Sequence, residues 1–197
     1  MITFVAILLI VLCTTACDSN HTPEITPDPD PIPELRIYNI GDLYDNNGVK
    51  GLVFRVNETG ESGLIVSLTE PENMLAWGTE FISTGSTVRG SGQMNTAIIY
   101  TLPNWEKKYP AFAWCKSLGE GWYIPSVNEL RELLIISSSN TFRQAIVANK
   151  ATLFSDGKYL SSTEMDDWWI YLVDAATAQE SANYKQYIYR VRAIYQF

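Results

Sequence analysis

The chain has 197 residues, 46% hydrophobic and 12% aromatic, enough for one well-filled domain with residues to spare at the N-terminus. A formal net charge of −8 argues against binding to a nucleic-acid backbone, which needs clustered Lys and Arg, and weakens the case for strongly anionic glycans. The single histidine, His21, lies in linker-like sequence and offers no buried metal or acid–base site.

The predicted elements begin with Ile2 to Leu12, an almost wholly apolar run too short to span a bilayer and suited to a signal-peptide core. Thr14-Thr15-Ala16-Cys17 follows and resembles the end of a bacterial lipoprotein signal, which implies cleavage over residues 1–16 and a lipid on Cys17. Two departures stand out: no Lys or Arg precedes the run, which leaves the start of the chain open, and Thr14 stands where the pattern carries Leu. The alternative is an ordinary secretory signal or a buried N-terminal strand. Residues 17–37 hold Pro23, Pro27, Pro29, Pro31 and Pro33 among acids and threonines; such a segment cannot bury a core and reads as an extended tether. Acids just after Cys17 loosely resemble surface-export signals of Bacteroidetes. Together these imply a membrane partner through the lipid and an outer-membrane, surface-exposed location.

The domain is expected over residues 38–197. Asp45-Asn46-Asn47-Gly48 reads as a tight turn rather than a calcium loop, since no glutamate follows at the required spacing. Leu52–Val56 and Leu64–Leu68, joined across Asn57–Gly63, predict a β-hairpin. A Gly/Ser/Thr-rich loop over 84–93 leads into a short helix at 94–100, and a second helix is predicted over 110–118, with Pro110 in its first turn. Cys115 in that helix is alone within the domain, so no intradomain disulfide is possible; without a neighbouring histidine, and within Ala-Phe-Ala-Trp-Cys, it reads as a small buried hydrophobe. Ser126 and Glu129 form a capping box that starts a third helix, with Leu130, Leu133 and Leu134 inward and Arg131 and Glu132 outward. Residues 142–149 predict a further helix. After the turn at 155–158 the sequence is strand-like, with strands expected at 168–173 and 187–197 and the order of an α+β protein.

Three blocks carry a family resemblance. Trp122-Tyr123-Ile124-Pro125 with Asn128-Glu129-Leu130, then Leu160-Ser161-Ser162-Thr163, then Val191-Arg192-Ala193 occur in this order. They resemble the C-type-lectin-like family that includes the C-terminal domain of the Legionella collagen-like adhesin and the Fibrobacter-type major paralogous domains. The resemblance implies that N- and C-terminal antiparallel strands lie together with helices between them. It also departs from the family: Leu160 replaces a tryptophan and Ala193 a cysteine, so a bridge from Cys115 to that position is absent and packing alone must hold the domain.

The blocks themselves read as corners and caps, with Trp122, Glu129, Ser161 and Ser162 structural. The candidate ligand-binding residues are Asp166, Asp167, Trp168, Trp169, Tyr171, Tyr184, Tyr187 and Tyr189, because flat aromatic faces beside carboxylates suit recognition of a glycan or a surface protein. The alternative is that one face of each strand is ordinary core. No catalytic residue, metal site or cofactor is predicted. The expected function is a surface-anchored ligand-binding or adhesion module that does not bind nucleic acid. A structural fimbrial or envelope subunit in a homo- or hetero-assembly is one alternative, and the variable target of a diversity-generating retroelement is another. A formylglycine-generating type of enzyme fits poorly with one thiol and no domain histidine. Glu164, Asp166 and Asp167 do not suit glycoside hydrolysis, since adjacent strand residues face opposite ways. Glu70-Pro71-Glu72-Asn73 matches the calcium-lectin Glu-Pro-Asn motif only in part.

Overall fold

A computed structural model describes residues 36–197; the apolar leader, Cys17 and the spacer through residue 35 lie outside the described residues. The first hairpin follows from local chemistry. Asn47 and Gly48 take φ of 49° and 82°, the left-handed pair that a two-residue turn requires, and join β1 (Leu43–Asn46) to β2 (Val49–Val56). The predicted second hairpin runs from β2 to β3 (Gly63–Ser67), with Asn57 Oδ1 accepting from Glu61 N at 3.0 Å to close the turn.

Both faces of this sheet are covered, so its strands read as apolar runs rather than alternations. Val53 and Ile65 enter the main core with Trp77, Ile99, Phe112, Cys115 and Trp122, while Leu52, Phe54, Leu64 and Val66 pack on Leu133, Phe142 and Ile146. Cys115 is fully buried, and burial pushes its thiol well above the ordinary range. It shares its core with Ala193, the position where the family resemblance implies a cysteine.

After the short strand β4 (Leu75–Ala76), five helices follow. Ser91 caps α1 (Gly92–Tyr100) by accepting from Met94 N at 3.3 Å, and Pro110 opens α3 (Pro110–Ser117). Between them lies α2 (Trp105–Lys108), a four-residue turn that no sequence periodicity announced. The predicted capping box is present at the start of α4 (Val127–Ser137), and the Glu129 carboxylate also accepts from Gly92 N at 2.7 Å. One buried carboxylate thus holds the starts of two helices, where their dipoles favour an anion. Leu130, Leu133 and Leu134 are buried as expected, and Glu132, outside that stripe, pairs half-exposed with Arg55 on β2. Helix α5 (Asn140–Ala148) completes the set.

The chain then forms β5 (Lys158–Glu164), β6 (Trp169–Asp174), β7 (Glu180–Tyr184), β8 (Ile188–Tyr189) and β9 (Ile194–Gln196). The described residues make three antiparallel sheets: β1-β2-β3-β9, β5-β6-β7, and the pair β4-β8. This is an α+β architecture. First and last strands share one sheet, and Tyr38, Tyr44 and Phe197 pack ring to ring at 4.7 to 5.3 Å where the two ends meet.

The expectation of one strand over 187–197 is corrected. β8 pairs with β4 and β9 with β3, in different sheets, and Val191, Arg192 and Ala193 between them are buried in succession, as is Ile194 at the start of β9. Alternation fails because the segment passes through the core. Arg192 is 1% exposed; it donates to Ser67 O at 3.0 Å and to Thr152 O, and its guanidinium lies 4.3 Å from the Phe154 ring centre. Its Nε stands 3.4 Å from Glu70 Oε1, within Coulomb range but without hydrogen-bond geometry. Burial draws this guanidinium below its usual range, opposed by Glu70.

Candidate functional site

The Ser161-Ser162-Thr163-Glu164 run of β5 is wholly buried, and each residue fastens a different segment. Ser161 Oγ donates to Tyr171 O at 2.8 Å, Thr163 Oγ1 accepts from Val127 N at 3.0 Å, and Ser162 Oγ accepts from the Asn95 amide at 3.1 Å. The block is structural, as its residue types suggest for buried hydroxyls.

Glu164 forms the most consequential of these contacts. With Lys185 it makes an ion pair in which both side chains are 0% exposed. The carboxylate also accepts from Thr84 N at 3.0 Å, Gly85 N at 2.9 Å and Thr84 Oγ1 at 2.9 Å. Lys185 Nζ donates to Ile82 O at 2.7 Å and stands 5.1 Å from the Trp77 ring centre. Its backbone N–H donates to Trp168 O at 2.9 Å, and the following Gln186 amide donates to Thr79 O at 2.8 Å. The buried pair, with the hydrogen bonds of the Lys185 backbone and the Gln186 side chain, therefore ties together the 79–85 loop, the β5–β6 turn and the β7–β8 turn.

Those three segments carry a continuous set of aromatic rings. Phe81 stacks on Trp168 with centres 4.4 Å apart and planes 24° from parallel, and Tyr184 meets Phe81 edge-on at 6.1 Å. Trp169 packs on Tyr184 at 4.7 Å, and Tyr187 meets Tyr184 edge-on at 5.5 Å. Trp168 is 51% and Tyr187 53% exposed, so the shelf has a buried support and an open outer surface. Such aromatic pairs add about 0.5–1.5 kcal/mol each beyond area burial.

Of the predicted residues, the structure brings Trp168, Trp169, Tyr184 and Tyr187 together. Asp166 and Asp167 lie in the β5–β6 turn rather than on a strand, and so does Trp168, which precedes β6. Asp166 Oδ1 accepts from Trp168 N and Trp169 N, both at 2.8 Å, so its part is to shape the turn that holds the two tryptophans. Asp167 is exposed beside Trp168. Tyr171 is set apart: Arg89 covers its ring at 4.5 Å and is itself held by Glu180 at 2.5 Å. Tyr189 is half-buried against the main core, and burial raises its hydroxyl above the ordinary tyrosine range. Phe81, Glu164 and Lys185 complete the site beyond the predicted set. A bulky aromatic in a largely polar loop was the available signal for Phe81; the ion pair left none.

A cavity of about 590 Å³ opens elsewhere, bordered by Ser137, Arg143, Phe154 and Ala175, and none of the predicted residues lines it. Among the described residues, no three His, Cys, Asp or Glu side chains are grouped to hold a metal ion, and no helix is long and apolar enough to cross a membrane. No protein-family model matches the chain, and comparison with curated proteins finds no significant match.

Proposed function

We propose that this chain is a surface-anchored bacterial lipoprotein whose domain, of C-type-lectin-like kind, serves as a ligand-binding or adhesion module for a glycan or a surface protein. The observation that carries the reading is the aromatic shelf, open on one side and carried on segments that the buried Glu164–Lys185 pair and its neighbouring hydrogen bonds fasten. Exposed aromatics on rigidly fastened turns lose little freedom on binding, which is what recognition surfaces require. The fold reading draws support from first and last strands in one sheet and from the three resembling blocks, which sit at the α4 cap, in β5 and just before β9. The anchor reading rests on Thr14-Thr15-Ala16-Cys17 and the spacer that follows.

Adhesion is tested by displaying the full chain on bacteria and measuring attachment to host cells and to matrix proteins. Trp168→Ala/Tyr187→Ala is expected to abolish attachment with folding intact; attachment unchanged by both substitutions sinks the reading. Cys17→Ser is expected to abolish incorporation of labelled palmitate, and retained label rejects lipidation at this residue.

One observation favours a second reading, a structural fimbrial or envelope subunit. Strand β7 pairs with β6 on one side and with no strand on the other among the described residues. Asn183 Oδ1 nevertheless occupies the N–H of Tyr184 at 2.9 Å, which blunts that edge, and the shelf carries more weight. Concentration-dependent assembly in sedimentation velocity favours the subunit.

A further inference from the structure

We infer that the aromatic shelf takes a neutral saccharide chain, bound by stacking and without calcium; this rests on the recognition reading above. Phe81 lies nearly parallel beneath Trp168, so one indole face is backed by a second ring while half of the tryptophan surface stays open. A flat, backed ring matches the C–H face of a pyranose, whose axial hydrogens carry partial positive charge toward the negative face of the π system. The rim supplies hydroxyl acceptors and donors: the exposed Asp167 carboxylate adjoins Trp168 in the turn, and Gln186 and the Tyr187 hydroxyl follow on the β7–β8 turn. The Gln186 amide nitrogen is committed to Thr79 O at 2.8 Å, which orients the side chain and leaves its carbonyl oxygen to accept.

Charge selects among saccharides. The neighbouring cations are each matched by a carboxylate: Lys185 is buried against Glu164, Lys108 pairs with Glu80 at 3.0 Å, and Arg190, three residues beyond Tyr187, stands 3.7 Å from Glu70. Asp166 and Asp167 remain at the rim of a chain with net charge −8. Uronic or sulfated sugars therefore meet repulsion from these carboxylates, while neutral hydroxyls meet acceptors. Stacking on one platform with few directed bonds also fits repeated weak engagement along a polysaccharide rather than one tight pocket.

The test titrates the full chain, with EDTA present, against cello-, laminari-, manno- and chitopentaose, following tryptophan emission. Polygalacturonate and heparin oligosaccharides serve as anionic probes, and immobilised fibronectin and collagen as protein probes. Saturable binding of at least one neutral pentasaccharide is expected, weakened about tenfold or more by Trp168→Ala and less by Trp168→Phe, which keeps a ring. Near-UV circular dichroism establishes that each variant is folded. No neutral binding by the folded chain overturns the inference, as does equal or tighter binding of polygalacturonate. Trp168-dependent binding to fibronectin or collagen alone overturns the saccharide class while leaving the adhesion reading; silence against all three panels removes both.

Discussion

Replacing Lys185 with methionine isolates the contribution of the buried pair, since methionine keeps an aliphatic stem of similar length against Trp77. The substitution leaves the Glu164 carboxylate buried with its three contacts to Thr84 and Gly85 but without its counter-charge, and it strips Ile82 O of its donor at 2.7 Å. Breaking a buried pair from one side costs about 3–5 kcal/mol, and an orphaned carbonyl adds about 1–3 kcal/mol. The retained hydrogen bonds to Glu164 offset part of this, so about 4 kcal/mol is expected. For a domain of this size that lowers Tm by roughly 8–16 °C. Urea unfolding gives the free energy. Glu164→Gln/Lys185→Met removes both charges and is expected to recover about 2 kcal/mol relative to Lys185→Met alone. A single-variant cost below about 1 kcal/mol, the worth of an exposed pair, refutes the argument, as does simple additivity in the double variant.

Arg192→Lys is expected to cost about 3 kcal/mol by urea unfolding, because an ammonium cannot reach Ser67 O and Thr152 O together while lying over Phe154. Asp166→Asn keeps an acceptor for Trp168 N and Trp169 N and is expected to bind as the parent does; Asp166→Ala is expected to lose about 1 kcal/mol of stability and most of the binding. Burial raises the hydroxyls of Tyr100, Tyr123 and Tyr159 well above their ordinary value of 10.0. The unfolded chain releases these protons at lower pH than the native one, so their contribution to stability is complete below about pH 10 and lost as pH rises further. Phenolate absorbance near 295 nm from these three is expected only on alkaline unfolding. Cys115 is expected to escape iodoacetamide in peptide mapping until denaturant is added, and rapid native labelling contradicts its burial.

Short-range chemistry was readable along the chain. Asn47-Gly48 specified the first turn, Ser126 and Glu129 the start of α4, Pro110 the start of α3, and the apolar runs on either side of Asn57–Gly63 the β2–β3 hairpin. Each of these depends on residues within a few positions of one another, so φ preferences, caps and periodicity suffice. The candidate aromatics were legible as a group because so many wide rings in one stretch exceed what a core face can absorb. Which of them meet was not legible. Trp168 needed Phe81 from a loop 87 positions earlier, while Tyr171 was covered by Arg89 and Tyr189 by the core.

The same limit explains the misread last strand and the hidden ion pair. Alternation in Tyr187–Phe197 reports local period, but β8 and β9 are claimed by strands of different sheets, and Arg192 finds its acceptor at Ser67, 125 positions away. Glu164 and Lys185 look like ordinary surface charges in the sequence; only the closing of three turns over them removes water and makes their pairing obligatory. What the sequence determined by itself was the early hairpins, the longer helices and the caps read from their first residues, because those energies are local. The tertiary structure alone decided which charges are buried and which rings form the shelf, because burial belongs to the assembled chain and not to any segment of it.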